Sequence, residues 1–211
     1  MAVQLILVRH AQPNREHNPN GPADPGLSDL GQWQAARLGE WLKHEPIDYI
    51  VTSPKRRAIE TVGALIDDGH PHEIIDALNE LDSRAQWYYP TEELHLAGDY
   101  WDAIQRQDWD SIGWDSPDVF NARVTEAFAD LVANHRGQHV LVSSHGGVVR
   151  RIVADVLGHD HMRLPITISY ASITRVDVET DGKRTLVSLN EHGHFGADRT
   201  SVVQPMGSRP R

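Results

Sequence analysis

Hydrophobic positions along this chain fall into two kinds of run. One kind is short and continuous: Leu5-Ile6-Leu7-Val8, with Val3 just upstream, and Val140-Leu141-Val142. Such runs, bounded by polar residues, read as strands buried on both faces. Ile47–Val51 and Glu73–Asp76 predict two further short strands. In the other kind, apolar residues recur at helical spacing. From Ser28, a good N-cap, to about His44, residues Leu30, Gln34, Ala35, Leu38, Trp41 and Leu42 fall mostly on one face. A helix is expected from Pro54 towards Ile66, and another over Val119 to His135. The latter buries Phe120, Val124, Ala127, Phe128, Leu131 and Val132. A last helix is expected over Val148 to Leu157.

Both continuous runs end in the same way. The first passes into Arg9-His10 and then the small and turn-forming residues Ala11-Gln12-Pro13-Asn14. The second passes through Ser143-Ser144 into His145-Gly146-Gly147 and a helix. Open α/β sheets bind ligands at the carboxyl ends of their strands, so each run delivers an imidazole to that edge. If the two strands are neighbours in a parallel sheet, both rings emerge side by side. Glycine lets a backbone N–H approach a ligand, and a helix N-terminus adds partial positive charge. Lys55-Arg56-Arg57 places three cations at another helix start, a costly arrangement that an anion would relieve. Glu80 lies between two leucines just past a strand end, where partial burial raises a carboxyl pKa.

Two stretches read as shapers of this edge. His17 to Gly26 is dense in proline, glycine and asparagine, a loop placed beside the Arg9-His10 corner. Residues 83–118 carry Trp87, Tyr88, Tyr89, Trp101, Trp109 and Trp114 among many acids. Some helical spacing occurs near Glu92 to Gln105, but the segment does not read as sheet. It is expected to form a cap over the active face.

Composition narrows the field. With 211 residues, one large domain is the default, able to bury about 70% of its unfolded surface. There is no cysteine, which rules out disulfides and thiolate chemistry and suits a reducing compartment. A formal charge of −10 argues against a general nucleic-acid binder. No apolar run is long enough for a membrane helix, and Met1-Ala2-Val3-Gln4 lacks the basic start of a signal peptide. A cytoplasmic location is therefore expected, with neither nucleic acid nor membrane as partner. The pairs His70/His72, His159/His161 and His192/His194 suggest metal ligands by spacing, but none has an obvious carboxylate partner.

Four motifs in order carry a family resemblance: Arg9-His10-Ala11; Ser53-Pro54 with Arg57-Ala58 and Thr61; Leu78-Asn79-Glu80; and Ser144-His145-Gly146-Gly147. From about residue 3 to 195 the chain resembles the histidine phosphatase superfamily, in its phosphoglycerate mutase-like branch. Leu189-Asn190 with His194-Phe195 is similar to that family's closing strand and turn. The resemblance implies one domain over 1–211, a three-layer α/β/α sandwich with a mostly parallel central sheet. The 83–118 cap is inserted in it, and a loose tail follows about residue 197.

It also implies roles. His10 would be the nucleophile that takes the phosphoryl group. Arg9 and Arg57 would clamp the phosphate oxygens, and Glu80 would protonate the leaving oxygen and later deprotonate water. His145 would be the second histidine of the site, with the Gly146 N–H beside it. No cofactor and no metal are expected, since two guanidinium forks match a phosphate and neutral imidazole is a usable nucleophile. The hydroxyls of Ser53 and Ser144 are candidates for orienting partners. Three departures stand out. Ala11 replaces a usual glycine, Pro13 a usual threonine or serine, and Glu16 an asparagine that often contacts phosphate, with Asn14 or Asn18 as substitutes. After Glu80 the usual glycine- and tryptophan-rich continuation is replaced by Leu81-Asp82-Ser83-Arg84-Ala85-Gln86-Trp87, which implies a different substrate wall.

The expected activity is metal-independent hydrolysis of a small phosphorylated metabolite through phosphohistidine. The alternatives are a cofactor-dependent phosphoglycerate mutase, for which the chain is short, and a non-catalytic phosphate-binding protein. The sequence leaves a homodimer open.

Overall fold

The computed structural model describes residues 2–159 and 164–196. A six-stranded sheet runs through it in the order β4-β3-β6-β1-β7-β8. These strands are β1 (Val3–Arg9), β3 (Tyr49–Thr52), β4 (His72–Ile74), β6 (His139–Ser144), β7 (Ile173–Val178) and β8 (Arg184–Glu191). The pairs from β4 to β1 are parallel, and those of β7 with β1 and with β8 are antiparallel. A separate ribbon pairs β2 (Glu16–His17) with β5 (Trp87–Tyr88).

Why β1 is continuously apolar is now clear: each face has its own core. Leu5 and Leu7 face one way and pack with Phe120, Val124 and Phe128 of α5 (Pro117–Asn134) and Val149 and Ile152 of α6 (Gly146–Val156). Ile6 and Val8 face the other way, against Leu38 and Leu42 of α1 (Asp29–Leu42) and Leu65 beside them. Helices thus cover both faces of a mostly parallel sheet, the expected three-layer α/β/α architecture. Ser28 caps α1 through its Oγ, which accepts from the Gly31 N–H at 3.0 Å. A Cβ on Gly31 would collide with the Gln12 carbonyl, so glycine lets α1 lie directly against the chain leaving β1.

Several local expectations needed correction. The helix expected over 54–66 is two short ones, α2 (Arg56–Thr61) and α3 (Gly63–Asp67), broken at Val62, whose φ of −115° is not helical. Trp41 is 46% exposed and not core. The strand expected at 73–76 is shifted to 72–74, and α5 starts two residues early because Ser116 caps it, accepting from Val119 N–H. Residues 83–118 contain little helix beyond α4 (Asp99–Gln105), and Trp87-Tyr88 is strand after all. Strand β7 was not anticipated; its polar Arg175 and Asp177 interrupt the apolar run. Strand β8, which holds the expected Leu189-Asn190, alternates exposed and half-buried residues, as suits a sheet edge. Residues from 197, where the loose tail was expected, lie outside the described ones. Among the described residues, no helix is long and apolar enough to cross a membrane.

Candidate active site

The site is a product of strand register. Parallel pairing of β1 with β6 sets Arg9 against Ser144, and the His10 N–H donates to the Ser144 carbonyl at 2.8 Å. His10 and His145 therefore leave the sheet together, with ring centroids 5.2 Å apart at an interplanar angle of 67°. On the other side of β6, the Ser53 N–H donates to Ser143 O at 3.0 Å, so the residue after β3 reaches the same edge. Three strand ends converge on one point.

Hydrogen bonds orient both imidazoles. His10 Nδ1 lies 2.8 Å from the carbonyl of Ala11. A carbonyl only accepts, so Nδ1 carries the proton and the Nε2 lone pair is left for chemistry. His145 Nε2 lies 2.7 Å from Ser53 Oγ, and that oxygen also accepts from the Lys55 N–H at 3.4 Å. The other ring nitrogen, Nδ1, is buried with no hydrogen-bond partner. Both rings titrate well below an ordinary histidine: burial is the larger cause, and the Arg57 guanidinium is next. Both stay neutral at pH 7.

The cations are built in as forks. Arg57, 1% exposed, spends Nη2 on Asp82 Oδ1 at 3.3 Å and leaves Nε and Nη1 buried and unpartnered. Arg9 donates from Nη1 to Ile168 O at 2.6 Å and from Nη2 to Thr91 Oγ1 at 2.9 Å, again leaving Nε without a partner. The rings of Tyr170 and Tyr88 lie 3.8 and 4.4 Å from the guanidinium carbons of Arg9 and Arg57. Three buried guanidinium nitrogens, Arg9 Nε and Arg57 Nε and Nη1, have no acceptor among the described residues. A phosphate, with its several acceptor oxygens, satisfies that requirement.

Glu80 closes the site from another direction. Its Oε2 accepts from the Gly147 N–H at 2.9 Å and its Oε1 from the Leu81 N–H at 3.1 Å. Burial, reinforced by the nearby Asp82 carboxylate, raises its pKa above the ordinary range. The raised pKa favours the protonated carboxyl, the form that a proton donor needs. Arg9, His10, Arg57, Glu80 and Gly146 all line one cavity of about 690 Å³. The candidates chosen from the sequence are therefore together, with His145 directly behind His10.

Other expectations resolve differently. Of the three cations at the start of α2, only Arg57 faces the cavity: Lys55 Nζ donates to Ala23 O at 3.1 Å, and Arg56 pairs with Glu60. Asn14 and Asn18, considered as phosphate contacts, donate to the carbonyls of Leu27 and Pro22, and Glu16 accepts from the Asp24 N–H. Ser53 has a partner in the site, whereas Ser144 Oγ has none. His70 Nδ1 sits against Leu65 O and His72 Nε2 against Thr52 Oγ1. His161 lies outside the described residues. Thr91, Asp82, Arg150 and Tyr170 were missed. Only Arg150 had a sequence signal, a cation one turn beyond the Gly146-Gly147 pair.

Residues 5–192 match the family model described as the histidine phosphatase superfamily, branch 1. The chain is 26% identical to the broad-specificity phosphatase YOR283W of Saccharomyces cerevisiae, over 98% of this chain and 93% of that one. It is 29% identical to a 2,3-bisphosphoglycerate-dependent phosphoglycerate mutase of Allorhizobium ampelinum, over 72% of this chain and 79% of that one. Its fold is similar to that of Bacillus stearothermophilus YhfR, with a TM-score of 0.72 at 22% identity, covering 92% and 99% of the two chains. A match over nearly nine-tenths of its length makes this chain a member of the histidine phosphatase superfamily.

Proposed function

We propose that the protein is a metal-independent phosphomonoesterase that works through a phosphohistidine on His10. The observation that carries this reading is the pairing of a neutral imidazole, its Nε2 free, with three unpartnered buried guanidinium nitrogens of Arg9 and Arg57 in the same cavity. In the first step Nε2 attacks phosphorus and the bond to the leaving oxygen breaks. Glu80 supplies the proton that this oxygen takes up. In the second, ionised Glu80 removes a proton from water, whose oxygen attacks phosphorus. The P–N bond then breaks, inorganic phosphate leaves and His10 is neutral again. Arg9 and Arg57 hold the equatorial oxygens through both steps, where charge stabilisation and positioning do most of the catalytic work.

Hydrolysis is preferred to mutase action because the phosphatase relative is matched across almost the whole chain and the mutase across less of it. Metal independence rests on the guanidinium groups supplying the positive charge that a metal would otherwise bring.

The test is turnover of p-nitrophenyl phosphate in the presence of a strong chelator, beside 3-phosphoglycerate with a bisphosphate primer. Phosphate release without primer, abolished in His10→Ala, is the expected result. Isomerisation in the primed assay with little phosphate release makes the protein a mutase. Undiminished hydrolysis by His10→Ala overturns the nucleophile.

A further inference from the structure

The cavity is larger than a phosphate requires. About 690 Å³ lies in the range of sites that enclose drug-sized ligands. Glu80 marks the side on which the leaving group sits, because it must protonate the leaving oxygen. Trp87, Tyr89, Tyr100 and Trp114 line the same cavity as a connected aromatic wall. These rings brace one another. Trp114 Nε1 donates to the Tyr100 hydroxyl at 2.5 Å, Trp109 stacks on Trp114, and Trp87 is sandwiched by His17 and Tyr89 at centroid distances of 3.8 and 5.7 Å. Leu164, Pro165 and Ile166 add apolar lining. Flat, braced walls of this kind favour a flat ring.

One cation lining the cavity is unused. Arg150 lines the cavity from α6, three residues after Gly147, about 4.5 Å further along the helix from the Glu80 contact. It is half-buried, its Nε has no hydrogen-bond partner, and it makes no ion pair with any described residue. The acid nearest in role, Asp82, is held by Arg57. In a chain of net charge −10, a guanidinium without an ion-pair partner among the described residues, in a cavity lined by aromatic rings, is the feature that requires an explanation.

We propose that the natural substrate is a phosphomonoester whose leaving group is a planar ring bearing a second acidic group, the ring lying against the aromatic wall and the acid meeting Arg150. This deepens the phosphatase reading and rests on it for which end of the molecule is the phosphate. Arg150 is thus a specificity determinant, placed one helical turn from the catalytic acid.

Binding of non-hydrolysable phosphonates tests this separately from catalysis. Calorimetry is expected to show (4-carboxyphenyl)phosphonate binding roughly 10- to 100-fold tighter than phenylphosphonate, the range of one charge-assisted hydrogen-bonded pair. In Arg150→Ala that ratio is expected to collapse to within about threefold, and Arg150→Lys, which keeps the charge but loses the fork, to fall between. 3-Phosphonopropionate, an acid without a ring, is expected to bind at least tenfold more weakly than the carboxylated aryl compound. Equal binding of the two aryl phosphonates overturns the role of Arg150, and equal binding of the aliphatic acid overturns the ring. Failure of the chelated phosphatase assay with these preferences intact would instead sink the hydrolytic reading.

Discussion

Gly147 and Glu80 are fitted to each other. The Gly147 N–H donates to Glu80 Oε2 at 2.9 Å, and a Cβ on Gly147 would overlap the same carboxyl group. The proposed proton donor is therefore positioned by a bare backbone.

Gly147→Ala follows directly. The obstacle it creates is the end of a flexible side chain, so the fold can absorb it by moving Glu80, and alanine is a better helix former than glycine. Melting temperature is expected to hold or rise. Turnover of an alkyl phosphate is expected to fall by roughly 100-fold, the contribution of a positioned acid. An activated aryl ester, whose leaving oxygen needs no proton, is expected to suffer much less. Equal losses on both substrates would mean that Glu80 is not the acid.

The pH profile of kcat/KM reports the free enzyme. His10 titrates well below its ordinary value and Glu80 above its own, so nucleophile and acid are both in their working forms on the acid side of neutrality. The optimum is expected below pH 7. In Glu80→Gln the basic limb is expected to disappear, while the ionisation of the substrate phosphate remains common to both proteins. A basic limb unchanged in that variant would assign it to another group.

Arg57→Lys preserves charge and discards the fork. The native guanidinium holds Asp82 with one nitrogen and keeps two more for the ligand, which a single ammonium cannot do. A loss of roughly 100-fold in kcat/KM is expected, with circular dichroism checking that the fold survives. Activity within threefold of the native enzyme would remove Arg57 from the clamp.

Stability should fall on the acid side. His10 and His145 have folded pKa values below the unfolded value of about 6.5, so below that pH the unfolded chain binds protons that the folded chain refuses. Each group then removes up to about 1.4 kcal/mol per pH unit. Glu80, raised in the folded state, works in the opposite sense, and its stabilising contribution grows as pH falls through its folded pKa. The unfolding free energy in urea is expected to drop by about 1–3 kcal/mol between pH 7.5 and 5.5. A flat profile would mean that the two rings are not held neutral.

Much of this was legible in the sequence because β1 and β6 are buried on both faces, which makes their apolar runs continuous and their ends conspicuous. His10, Arg9, His145 and Gly146 were placed by those ends. Arg57 stood out with two other cations, yet nothing local distinguished it from Lys55 and Arg56, whose partners, Ala23 and Glu60, only the folded chain brings near. Tyr170 and Thr91 were invisible for the same reason: they meet Arg9 across 161 and 82 residues. Strand β7 was hidden by its polar alternation. The unanticipated break at Val62 reflects tertiary contacts overriding helical periodicity, since Val62 and Leu65 are drawn into the core beneath α1.

The register of β1 with β6 has a corollary. His10, Arg9 and His145 are anchored at the centre of the sheet, whose amides should open to solvent only with the whole domain. Glu80 lies outside the sheet, after a single turn of 3-10 helix, and that turn is held by Leu78 in the core and by Arg123 of α5, which donates to the carbonyls of Ala77 and Asn79. The two halves of the proposed chemistry thus hang on different parts of the fold. On that mechanism, a change confined to the Arg123 contacts is expected to cost the expulsion of poor leaving groups and to spare the grip on phosphate.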